Sequence, residues 1–196
     1  MRPNDLCVHL LGGMQAAQRE YVWMSNGYWL WSGAEYFLTS SLAKHLHSTD
    51  PANVFCTVEE SLHNFSFGRG RPNYALRIGG RTDIAVWDSI GNSIGIVEVK
   101  VQKASSICGE DLDRLVTFSG RTISLGAFAY YYSFSAPTPE RVEIMCRRRL
   151  NAINHLANEY AEYGGVNLCS QELISETVDE DGSFSNWLGF ACVFSQ

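Results

Sequence analysis

The sequence predicts an α/β fold, a sandwich of helices on a sheet that mixes a hairpin with a crossover strand, and three observations lead there. Runs rich in β-branched and aromatic residues alternate with helical patterns through the middle of the chain, as they do where strands and covering helices build one sheet. Two of the runs, TDIAVWD and IGIVEVKVQ, flank the turn DSIGNS and read as a hairpin. A later run, LGAFAYYYSF, follows the helical stretch GEDLDRLVTFSG and so rejoins the sheet by a crossover. At 196 residues, 45% hydrophobic and 12% aromatic, the chain is long enough to bury a core as one domain over 1–196.

Residues 1–28 look partly helical, and Ser32 to about His47 repeats apolar residues at helical spacing. Val54 to Phe67 reads as a strand, and the Gly- and Arg-containing segment FGRGRPNYALRIGGR leads from it into the hairpin. Beyond the crossover strand, Thr138-Pro139 can cap and open a long helix. Its stripe is Val142, Cys146, Leu150, Ile153, Ala157 and Tyr160, and Gly164-Gly165 ends it. Two further strands are expected in the tail, VNLCSQELISETV and WLGFACVF.

The six cysteines stand singly, without CxxC or CxxH spacing, so core thiols are expected in place of a zinc site or a disulfide framework. No apolar run approaches the roughly 18 to 20 residues that span a bilayer, and MRPNDLCVHLLGG is too short in apolar residues for a signal peptide. A soluble, cytoplasmic protein with no membrane partner is expected. The formal charge of −6 argues at first against nucleic acid. Its distribution changes that reading, because all 15 Lys and Arg fall within residues 1–150. Residues 151–196 hold Glu159, Glu162, Glu172, Glu176, Asp179, Glu180 and Asp181 and neither Lys nor Arg.

The stretch GIVEVK sets two opposite charges at the end of an apolar strand. Side chains alternate across a strand, so Ile94, Ile96, Glu98, Lys100 and Gln102 share one face and Val97, Val99 and Val101 the other. The turn allows a four-residue loop, which sets Asp83 opposite Glu98, or a two-residue Gly91-Asn92 turn, which sets it opposite Lys100. Either register brings Asp83, Glu98 and Lys100 to one face. One reading is a cross-strand salt bridge. The other is a divalent cation site, since two carboxylates at close range in a half-buried place repel unless a cation or proton lies between them. Hard oxygen ligands with open positions suit Mg2+ or Mn2+.

Asp83, fourteen intervening residues, then Glu98-Val99-Lys100 resembles the D…(D/E)xK signature of the PD-(D/E)XK, or restriction-endonuclease-like, nuclease superfamily. The order of elements over about residues 29–160 is similar too: a helix, a three-strand meander with the motif on its second and third strands, a crossover helix, a strand and a helix. Gly80-Arg81-Thr82 precedes Asp83 where the name would have a proline. The resemblance implies a restriction-endonuclease-like α/β/α sandwich with a central mixed β-sheet, and residues 165–196 as an acidic strand extension. It implies that Asp83, Glu98 and the carbonyl of Val99 bind Mg2+ or Mn2+ while Lys100 serves the attacking water. Many members also supply an acid from the first helix, a place that Glu35 matches. Ser32-Gly33-Ala34-Glu35 equally fits a capping box.

Arg69, Arg71, Arg77 and Arg81 lie in a segment without acids that ends at Asp83, so they are candidates for substrate phosphates, or else a solvated basic loop. Gln102 is either a substrate contact or a polar strand end. Glu59 and Glu60 point to opposite faces, so at most one reaches the site. The histidines lack ligand spacing, and GxSxG, Walker and GxGxxG motifs are absent. The function expected is metal-dependent hydrolysis of phosphodiester bonds, in DNA more than RNA, as in prokaryotic defence or DNA processing. The alternatives are a nucleic-acid-binding module without turnover and a protein-interaction factor docking through its acidic C-terminal quarter.

Overall fold

A proline at the first helical position needs no backbone donor, and Pro3 there opens α1 (Pro3–Met24). Leu6, Leu10, Met14 and Ala17 recur every three or four residues along α1 and are all buried. In α2 (Glu35–Thr49) the same spacing buries Leu38, Leu42 and Leu46. The computed structural model describes every residue except 31, 32, 34, 63, 64, 66–79, 120–122 and 181. Arg69, Arg71 and Arg77 lie outside the described residues.

The strands are β1 (Val54–Ser61), β2 (Arg81–Asp88), β3 (Ser93–Val101), β4 (Leu125–Ala136), β5 (Asn167–Ile174), β6 (Val178–Glu180) and β7 (Ser183–Ser195). They form one open, mixed seven-stranded sheet in the order β1-β2-β3-β4-β7-β5, with β6 also paired to β7. The parallel pair is β3 with β4, made by the crossover through α3 (Gly109–Ser119). The remaining pairs of described strands are antiparallel.

Two strand expectations change. β1 stops at Ser61 and not at Phe67. The tail strand VNLCSQELISETV ends as β5 at Ile174, and only its last residue, Val178, enters β6; between them the Ser175 hydroxyl oxygen accepts the Trp187 N–H at 3.0 Å. The long helix α4 (Pro139–Gly164) follows the predicted signals. Thr138 Oγ1 accepts from Arg141 N at 3.3 Å, and Gly165 closes the helix with a left-handed φ of 64°. The stripe ends on buried Ala161, with Tyr160 half-buried beside it.

Helices cover both faces of the sheet. α1 and α2 pack over Ile84, Val86, Val97, Val99 and Val101, and α3 and α4 pack over Ala85, Ile96, Phe128, Tyr130 and Phe190. Each fully buried aliphatic or aromatic side chain of these clusters contributes about 1.5 to 3 kcal/mol. α3 crosses β4 at Gly126, where an added Cβ would lie 2.7 Å from the Leu115 carbonyl oxygen, so the close approach of helix to strand needs a glycine. All six cysteines are free thiols, with Cys7, Cys108, Cys146 and Cys192 buried. Among the described residues no helix is long and apolar enough to cross a membrane.

Candidate active site

Backbone pairing of β2 with β3 runs Ile84↔Val97, Ala85↔Ile96 and Val86↔Gly95, then slips by one residue at Trp87↔Ser93. The inner register is the one a four-residue loop sets, and continued by one residue it lays Asp83 across from Glu98. Past Ile84 side chains take over the ladder. Asp83 Oδ2 accepts the Val99 N–H at 2.6 Å, and buried Thr82 donates its hydroxyl to the Val97 carbonyl at 3.2 Å. The Asp83 carboxylate is thereby fastened to the strand that carries the other two motif residues.

Ile96 belongs to the cluster under α3 and α4, so alternation turns Glu98 and Lys100 toward those helices. Glu98 is only 2% exposed. Its Oε2 lies 3.2 Å from Arg114 Nη2, while its Oε1 is buried with no hydrogen-bond partner among the described residues. Arg114 Nη2 also donates to Asp111 Oδ1 at 2.5 Å. The other oxygen of Asp111 lies 3.3 Å from Lys100 Nζ, which itself donates to the Val99 carbonyl at 3.2 Å. Five charged side chains, Asp83, Glu98, Lys100, Asp111 and Arg114, thus meet where the hairpin passes under α3.

The electrostatics follow from burial and count. Burial pushes the Glu98 carboxyl well above the usual carboxylate range; Arg114 and Lys100 pull it down, and Asp83 and Asp111 push it further up. Burial by itself would lower the Lys100 ammonium, but Asp111, Asp83, Glu35 and Glu98 together outweigh it and raise its pKa. If all four are ionised, those carboxylates face two cations with a formal surplus of two negative charges, which falls to one when the raised Glu98 carboxyl takes a proton.

The remaining sequence candidates scatter around this centre. Glu35 Oε2 accepts the Val101 N–H at 3.2 Å, one residue beyond Lys100, and Ser32, its capping-box partner, lies outside the described residues. Arg81 opens β2, exposed, on the face that carries Asp83. Gln102 leaves the strand with φ of 54° and is held by β4: its Oε1 accepts from Ser133 N at 2.9 Å and its Nε2 donates to Ser133 Oγ at 3.0 Å. Glu59 is exposed on β1, and the register sets it across from Asp83.

Asp111 and Arg114 are functional candidates that motif reading missed. Their signal was present in GEDLDRL. Asp111 falls beside Cys108, Leu112 and Leu115 on the inward stripe of an amphipathic helix, where a charge needs a partner. Among the described residues no three His, Cys, Asp or Glu side chains converge tightly enough to hold a metal ion by themselves.

Fold and site together define an α/β protein whose central hairpin carries a buried charge cluster of both signs. No known protein family, curated protein or solved structure matches the chain.

Proposed function

We propose that this protein is a metal-dependent nuclease with a restriction-endonuclease-like fold, hydrolysing phosphodiester bonds in DNA at Asp83, Glu98 and Lys100. The observation that carries the reading is that Asp83 and Lys100 act electrostatically on Glu98 at one end of the hairpin, where its Oε1 is buried and lacks a partner among the described residues. A buried, unpaired carboxylate oxygen is costly, and a divalent cation would hold Glu98 ionised against the burial and neighbouring acids that favour its proton. Asp83, Glu98 and the Val99 carbonyl, which also accepts from Lys100 Nζ, are the groups that would hold Mg2+ or Mn2+. Bound there, the cation would polarise a phosphoryl oxygen and activate a water.

The chain's own groups supply the rest. The Val99 N–H holds Asp83 oriented toward the cluster. Lys100, kept protonated by the surrounding acids, orients the attacking water and offsets charge gathering on the phosphorus oxygens. Arg81, on the same face and exposed, takes a flanking phosphate, as Arg69, Arg71 and Arg77 do in this reading. The acid of α2, Glu35, adds negative charge at the far side of Lys100.

A second reading, a non-catalytic module, is favoured by one observation: the pairs Glu98–Arg114 and Lys100–Asp111 neutralise the motif residues within the protein. The two readings separate in one set of measurements. Wild type, Asp83→Asn and Glu98→Gln are melted with and without Mn2+ and incubated with plasmid, linear duplex, single-stranded DNA and RNA under Mg2+, Mn2+ or EDTA. The nuclease reading expects cation-dependent cleavage and a Mn2+-induced rise in melting temperature in the wild type only. A wild type that neither cleaves nor gains stability from either cation is the result that sinks it.

A further inference from the structure

Resting on the metal reading, we propose that Arg114 is a displaceable resident cation of this site, and that Asp111 is the carboxylate that receives it when a divalent cation takes Glu98. Four features of α3 carry this. Arg114 Nη2 touches Glu98 and Asp111 at once, at 3.2 and 2.5 Å, and the shorter contact is the one to Asp111. Giving up Glu98 therefore costs the guanidinium the weaker of its two carboxylates. Its Nε is buried without a partner among the described residues, so the seat is imperfect for an arginine, whose donors ordinarily engage a carboxylate as a fork. An ionised Glu98 at 2% exposure needs a partner cation, and among the described residues Arg114 stands within ion-pair distance of it.

The fourth feature is the division of labour in Asp111. One of its oxygens holds Arg114 and the other holds Lys100. A shift of Arg114 fully onto Asp111 thus leaves the Lys100 contact in place, and the catalytic lysine stays positioned through the exchange. Arg114 and Asp111 are positioning residues. They keep a buried acid paired while the site is empty of metal, and they make the incoming cation compete for it, which lowers apparent affinity by the fraction of protein in which Glu98 is already taken.

Binding of Mn2+ followed by calorimetry and by melting temperature tests this in wild type, Arg114→Gln and Arg114→Lys. The glutamine keeps a donor for Glu98 and removes the charge; the lysine keeps the charge. The glutamine variant is expected to bind Mn2+ about tenfold more tightly than wild type, within the range of ordinary coupling between sites, and the lysine variant to stay near wild type. Wild-type binding with no tightening in Arg114→Gln overturns the resident-cation proposal and leaves the metal site standing. Absence of binding in all three removes the metal reading and the proposal with it. The wild-type protein supplies a check that needs no variant: the Arg114 Nε–H resonance in nitrogen-15 spectra should move as Mg2+ saturates the site, and a resonance that stays still while Mg2+ binds overturns the exchange.

Discussion

At the scale of single residues, the meeting of Asp83, Glu98 and Lys100 was legible in the sequence, since strand alternation and both hairpin registers require it. Of Asp111 and Arg114, GEDLDRL showed an inward charge but not its partners. Both residues lie on another element, and only the docking of α3 brings them to the hairpin. Glu35 was legible as a candidate and open as to role, because helix capping and reach into the site use the same side chain. Its bond to Val101 N now makes a discriminating experiment available. Glu35→Gln can still accept that N–H through its amide oxygen, so the melting temperature is expected to change little. If its charge serves the cluster, Mn2+ affinity falls several-fold, as expected when one nearby carboxylate is removed. Unchanged affinity with unchanged cleavage would return Glu35 to the fold alone.

At the scale of elements, α3 is the part on which the site depends most. Its inward face mixes Leu112 and Leu115 with Asp111, and its height above the sheet is set where Gly126 passes under Leu115. Gly126→Ala places a methyl 2.7 Å from a backbone oxygen, a clash that only a shift of helix or strand relieves. The expected cost in stability is about 1 to 3 kcal/mol, as for other overpacked cores. Because the shift carries Asp111 and Arg114 with it, cleavage should fall by more than the loss of folded protein explains, which denaturant melts and rates at matched folded concentration would show. Full specific activity in a destabilised variant would mean that the position of α3 does not matter to the chemistry.

At the scale of the whole molecule, charge is divided by position: the acids of the last quarter lie in a region without Lys or Arg, and the arginine-bearing segment precedes the hairpin. If Arg69, Arg71, Arg77 and Arg81 meet phosphates, alanine in place of any two should flatten the salt dependence of DNA binding by about one unit of log slope for each phosphate no longer held. A slope that does not change would make the segment an ordinary surface. The C-terminal quarter has a second character that composition hides. β7 lies between β4 and β5 and buries Phe190, Cys192 and Phe194, so the acidic tail includes an interior strand of the sheet. What the sequence determined by itself was local or periodic: the α/β class, the long helix between Thr138 and Gly165, the hairpin, and the face on which Asp83, Glu98 and Lys100 stand. The tertiary structure alone decided the place of β7, the break of the tail at Ser175, and the pairing of the motif with Asp111 and Arg114. Those depend on packing between segments far apart in the chain, which no spacing encodes, and on the burial that makes an unpaired Glu98 oxygen costly only once α3 has closed over it.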